Sequence, residues 1–102
     1  MKTEYEIYMD FRRAREQANE LRVIANRMEH LSDAELGGTL RSIQQNWSGE
    51  NAQKFNGKGV TLQRKINVTA ADLRKVAATI DSIATRTYNN ELNAVRIAKT
   101  RG

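Results

Sequence analysis

The sequence contains no proline and no cysteine, and among its 102 positions only six are glycine and 6% are aromatic. A chain of this length and average composition carries about five prolines. Without them, no position holds the residue that removes a backbone donor and clashes inside a helix, so long uninterrupted helices are permitted throughout. Without cysteine there is no disulfide framework, thiolate metal site, thiol nucleophile or thiol redox sensor. Long apolar runs are missing as well. Mean hydropathy is −0.70, and no stretch approaches the roughly 20 apolar residues that a membrane span needs. The first residues, Met1-Lys2-Thr3-Glu4-Tyr5-Glu6, lack the apolar centre of a cleavable signal peptide.

Catalytic patterns are also lacking. His30 is the one histidine, and its position beside Leu31 reads as polar surface, not as a metal ligand. The stretch Asn56-Gly57-Lys58-Gly59-Val60-Thr61 resembles a phosphate loop only at first sight. That motif needs glycine where Ala52 stands and a hydroxyl where Gly59 stands. Gly57 and Gly59 are better explained as a place of close helix approach or as a loosened first turn. No nucleophile elbow, paired carboxylates or dinucleotide turn is found, so the expectation is a non-enzyme with no cofactor, no metal and no small-molecule substrate.

What is present is charge and helical periodicity. The net charge of +5 is unevenly distributed: residues 1–46 hold seven Lys/Arg against eight Asp/Glu, and residues 47–102 hold ten against four. Ile7, Phe11, Ala14, Ala18, Leu21, Ala25 and Met28 alternate by four and three, the spacing of one helical stripe. Leu36, Leu40, Ile43 and Trp47 resume that rhythm one residue out of phase. A continuous helix absorbs such a slip by a local change of winding. Ser32 to Glu35, flanked by Leu31 and Leu36, also has the form of a capping box with a hydrophobic staple, and Gly37-Gly38 follow. A kink or loosened turn is therefore expected near 30–38.

The second half repeats the pattern at Leu62, Ile66, Thr69, Leu73, Val76, Ile80, Ile83 and Thr87, with a flanking stripe of Ala77, Ala84, Tyr88 and Val95. Such a broad apolar face needs more than one helical neighbour. Between the halves, Ser48 is placed to cap the second helix and Gly49 to accommodate the reversal. The expected fold is all-α: a single antiparallel two-helix hairpin over 1–102. Helix 1 covers about 5–45, the turn 46–49 and helix 2 about 50–95, with a frayed carboxy-terminal tail. Helices of about 40 residues are each near 60 Å long, and a lone hairpin leaves much of its stripe wet. Pairing of two hairpins into a four-helix bundle dimer is expected. Its core is assigned to Phe11, Leu21, Met28, Leu40, Ile43, Phe55, Leu62, Ile66, Leu73, Val76, Ile80 and Ile83.

Trp47-Ser48-Gly49 at mid-chain, between two proline-free amphipathic helices and followed by Phe55, resembles the WXG family, the small ESAT-like helical hairpins exported by type VII secretion systems. The resemblance implies pairing as a homodimer or with a paralogous WXG-type protein. It also implies secretion without a cleavable signal peptide, from a cytosolic precursor, and recognition by the type VII export ATPase. Trp47, Ser48 and Gly49 become the turn and export motif. Many family members carry a carboxy-terminal tyrosine followed four residues later by an acid. Here Tyr88-Asn89-Asn90-Glu91-Leu92 places the acid at +3, on the same helical face as Tyr88, so Tyr88 and Glu91 are a variant of that signal. Two further readings stand beside this one. In the first, the chain is a targeting chaperone bound to the helical amino-terminal domain of a larger exported toxin, with the basic second half matching an acidic partner. The second is a helical nucleic-acid binder using Lys54, Lys58, Arg64, Lys65, Arg74, Lys75 and Arg86, against which stands the lack of any groove-reading module.

Overall fold

A computed structural model describes residues 1–101, and every regular element among them is helical. α1 spans Glu4–His30, a π-helical segment spans Leu31–Leu36, α2 spans Gly37–Asn46 and α3 spans Glu50–Arg101. α1 opens on a capping box. Thr3 Oγ1 accepts the Glu6 N–H at 3.1 Å and faces the Glu6 carboxylate at 3.3 Å. That pairing satisfies a donor which the first helical turn leaves free.

The expected irregularity near 30–38 is the π-helical segment. Both residues that bound it, His30 and Gly37, keep right-handed helical backbone angles, so the helix does not break. A π turn takes in one extra residue, and this is the one-residue slip between Met28 and Leu40. Buried positions run Ala18, Ala25, Ser32 and then Gly37 and Leu40, a five-residue step where four would keep phase. The Ser32–Glu35 capping box does not form, because no helix starts there and Ser32 is fully buried. Ser32 Oγ instead donates to the Gln63 carbonyl at 3.3 Å, and Gln63 Nε2 donates back to the Ser32 carbonyl at 2.8 Å.

The described residues form two compact units, one pairing Met1–Arg22 with the segment from Lys75 onward, the other comprising Val23–Arg74. In each, two helical stretches run antiparallel. In the first, Glu4 meets Lys99 and Arg22 meets Asp81. In the second, Glu29 meets Arg74, Ser32 meets Gln63, and Trp47 meets Phe55 across the reversal. The first unit buries Ile7, Ala18, Ala77, Ala84 and Val95, and the second buries Ala25, Leu40, Ala52 and Ala70.

This seam differs from the expected core. Leu40 is buried, and Phe11, Leu21, Met28 and Ile43, with Ile66, Leu73 and Ile80 on α3, are half-buried. Phe55, Leu62, Val76 and Ile83 lie outside it, 51%, 49%, 49% and 50% exposed. The reason is that α3 carries two overlapping four-three registers sharing Ile66, Leu73 and Ile80. The intrachain partner takes the one containing the small residues Ala70, Ala77 and Ala84, which permit a close approach.

α3 also continues past the expected end at 95, to Arg101. Lys99 Nζ holds Glu4 at 2.8 Å, and the cations Lys99 and Arg101 sit at the negative end of the helix dipole. Residues 96–101 are therefore helical, and only Gly102 of the expected frayed tail lies outside the described residues.

Gly59 and Gly57 have different surroundings. A Cβ at Gly59 would overlap the Leu40 side chain, whereas one at Gly57 meets nothing within 4 Å. Gly57→Ala is therefore expected to stabilise the chain by about 0.5–1 kcal/mol through helix propensity, and Gly59→Ala to gain less or to destabilise; urea denaturation of both variants checks this. The π segment yields a second expectation. Deleting exposed Ala34 restores the four-three spacing and keeps Leu40 in the seam, so stability should stay within about 1 kcal/mol of the parent. Deleting exposed Gln17 from regular α1 turns Ile7 out of the seam and should cost about 2 kcal/mol or more. Equal losses in the two deletions would contradict the insertion reading.

Candidate functional site

The reversal is built from three residues. Trp47 leaves the helical region with φ −115° and ψ 148°, while its N–H still donates to the Ile43 carbonyl. Gly49 has φ +96°, a backbone conformation that side-chain-bearing residues rarely adopt. Its carbonyl accepts the Gln53 N–H at 3.2 Å, so α3 starts from Gly49. The expected Ser48 cap is not formed, and Ser48 makes no side-chain hydrogen bond among the described residues. Glu50 lies in the first turn of α3, where its charge complements the helix dipole, and pairs with Lys54 at 3.4 Å.

Trp47 is 58% exposed, and its ring lies 6.3 Å from that of Phe55 at an interplanar angle of 45°. The tryptophan thus packs beside Phe55 on the first turns of α3 and leaves more than half of its surface to solvent. Ser48 and Gly49 are exposed beside it. A turn whose sequence is Trp47-Ser48-Gly49 can therefore offer an aromatic surface without unfolding.

Tyr88 and Glu91 belong to the other unit. Tyr88 is half-buried with its ring centroid 4.8 Å from that of Phe11, and Arg15 lies 5.7 Å over the opposite partner of that pair, the Phe11 ring. Phe11 and Tyr88, with Ile7, Ala14, Ile80 and Ile83, line an open apolar groove of about 270 Å³, and Asp10 and Glu91 bring carboxylates to it. Lys2 Nζ holds both acids, Asp10 at 2.9 Å and Glu91 at 3.2 Å. These contacts raise the Lys2 ammonium above its ordinary range and hold the Asp10 carboxyl below its own. The tyrosine and acid of the variant signal share a face, as their +3 spacing requires, but that face is turned toward α1 and not wholly to solvent.

Charged rungs flank the seam. Arg15, Arg22 and Glu29 recur every seven residues on α1, and Arg74 and Asp81 do so on α3. In the first unit, Asp81 accepts a hydrogen bond from Arg22 Nη2 at 2.5 Å and forms an ion pair with Arg15 Nε at 3.1 Å. In the second, Arg74 bonds Glu29 and donates to Asn26 Oδ1 at 2.6 Å. Sequence reading missed these pairs, although the sevenfold spacing of opposite charges was the available signal. They also bear on the nucleic-acid reading, because Lys54 and Arg74 of its seven cations already hold carboxylates.

Among the described residues there is no cluster of histidine and carboxylates able to hold a metal ion, and no helix is long and apolar enough to cross a membrane. No family model matches the chain, and comparison with curated proteins and with solved structures found no match.

The ion pairs predict a pH dependence. Lys99 holds the Glu4 carboxyl below its ordinary value, and Arg74 does the same to Glu29. A carboxylate with a lowered folded-state pKa contributes stability above its unfolded value and loses it as pH falls through the folded one. The melting temperature should therefore be flat near neutrality and fall as pH drops below about 4.5, the unperturbed Glu value. Glu29→Gln should shallow that acid limb. An identical acid limb in the variant would show that Glu29 carries none of it.

Proposed function

We propose that this chain acts without catalysis as a small helical adaptor or substrate of a type VII secretion system, of the WXG kind, paired with a second copy or a paralogous chain. The observation that carries the reading is Trp47. It stands largely in solvent on a three-residue reversal that Gly49 makes possible, between two long proline-free helical segments. A tryptophan that only plugged the core of its own hairpin would be buried within the chain. Half-exposed Val76 and Ile83 in one unit, and Phe55 and Leu62 in the other, support pairing. Each unit leaves a strip of apolar surface that a second hairpin in a four-helix bundle would cover.

On this reading Trp47 with Ser48 and Gly49 forms the contact read by the export ATPase, and Tyr88 with Glu91 supplies the variant second part. Glu91 already holds Lys2, so its recognition requires exchange of that ammonium for a partner's cation. On the same reading the chain is made in the cytosol and leaves by the type VII route. In cells that carry the export system, Trp47→Ala and truncation before Tyr88 should each abolish the protein in the medium while leaving it present in the cell pellet. Undiminished secretion of both variants would overturn the proposal.

A further inference from the structure

On α3 of the unit Val23–Arg74, exposed Phe55 and Leu62 stand two helical turns apart, and Trp47 extends the ridge by packing on Phe55. Lys58 lies beside both, three residues after Phe55 and four before Leu62, and Lys65 lies three after Leu62. Lys54 and Arg74 hold Glu50 and Glu29, whereas Lys58 and Lys65 are exposed and hold no carboxylate among the described residues. The ridge is thus apolar along its crest and cationic along its border, with the border charges uncommitted.

We infer that the Phe55–Leu62 ridge, with Trp47 left accessible at its end, docks an acidic amphipathic helix of a different chain, one with a leucine-type stripe edged by Glu or Asp. This names the partner in the export reading above and rests on it. A second copy is the poorer occupant of the ridge. In a twofold contact the same patch meets itself, which would set Lys58 and Lys65 of one copy against those of the other, and like charges across an interface oppose association. The whole chain, at +5, likewise repels its copy and attracts an acidic partner. The apolar crest supplies the area removed from water, and the two lysines select the sign of the border.

The test uses the purified full chain and two synthetic helical peptides with the same leucine stripe, one bordered by glutamate and the other by lysine. Trp47, the one tryptophan, packs on Phe55 at the end of the ridge and reports docking there through a blue shift of its emission. The glutamate peptide should saturate this shift and bind about tenfold more tightly than the lysine peptide, the worth of two exposed ion pairs. The preference should shrink as salt rises. Leu62→Asp should abolish the shift with helicity retained by circular dichroism, and Lys58→Glu with Lys65→Glu should reverse the preference. Equal binding of the two peptides would overturn the inference, as would a stable homodimer by sedimentation that Leu62→Asp dissociates and neither peptide disturbs. Both of those results leave the Trp47→Ala secretion assay to judge the export reading separately.

Discussion

The structure depends on a narrow seam. Six of the nine buried apolar residues are alanine, at positions 18, 25, 52, 70, 77 and 84, and a seam of that width fixes how closely the antiparallel stretches of each unit approach. Close approach brings backbone into dispersion contact, but an alanine methyl removes little apolar area from water, at about 0.8 kcal/mol per buried carbon. The larger side chains Leu21, Met28, Ile66, Leu73 and Ile80 therefore sit half-buried at the rim. Bulk at the rim with small residues at the centre leaves apolar surface facing outward in each unit, the surface that the proposed pairing would cover.

The seam also explains the π-helical segment. A register of alternating four and three residues must be kept on both helices for the buried positions to meet, and one extra residue between Met28 and Leu40 would turn α2 out of contact. Accepting that residue in a π turn returns Gly37 and Leu40 to the seam. At the end of the π turn the Ser32 carbonyl accepts the Gly37 N–H, and Gln63 Nε2 donates to the same carbonyl from across the unit. The irregularity is thus held by a specific pair of hydrogen bonds across the unit, not by flexibility of Gly37-Gly38.

Much of this was legible in the residues. The absence of proline, the four-three spacing and the phase slip located the helices, the reversal and the irregularity to within a residue or two, save for the extension of α3 to Arg101. The choice of register on α3 was not legible. Leu62, Val76 and Ile83 outweigh Ala70, Ala77 and Ala84 in hydrophobicity, and only the geometry of the facing helix favours the smaller set. Capping patterns show the same limit. Thr3–Glu6 and Ser32–Glu35 have the same form, yet one caps and the other does not. At Thr3 the first turn has free N–H groups, whereas at Ser32 a continuing helix already uses them. Local sequence states what a residue can do, and the neighbouring backbone decides whether the opportunity exists.

For the candidate site, the same distinction separates Trp47 from Tyr88. The reversal is local, so Trp47-Ser48-Gly49 and Phe55 contain nearly all the information that sets the indole in solvent. Tyr88 and Glu91 take their environment from Phe11 and Lys2 at the other end of the chain, which no spacing rule could supply. The charged rungs bear on which side of each unit remains open. Arg15 and Arg22 on Asp81, and Arg74 on Glu29, are partly exposed and contribute little energy each. They do occupy one flank of the seam with paired charges, and a second helix placed there would have to desolvate them. The other flank carries Val76 and Ile83 in one unit, and Phe55 and Leu62 in the other, where covering the surface removes apolar area from water at no such cost. In the proposed pairing, the ion pairs thus act less as a source of stability than as a bar to association on their flank.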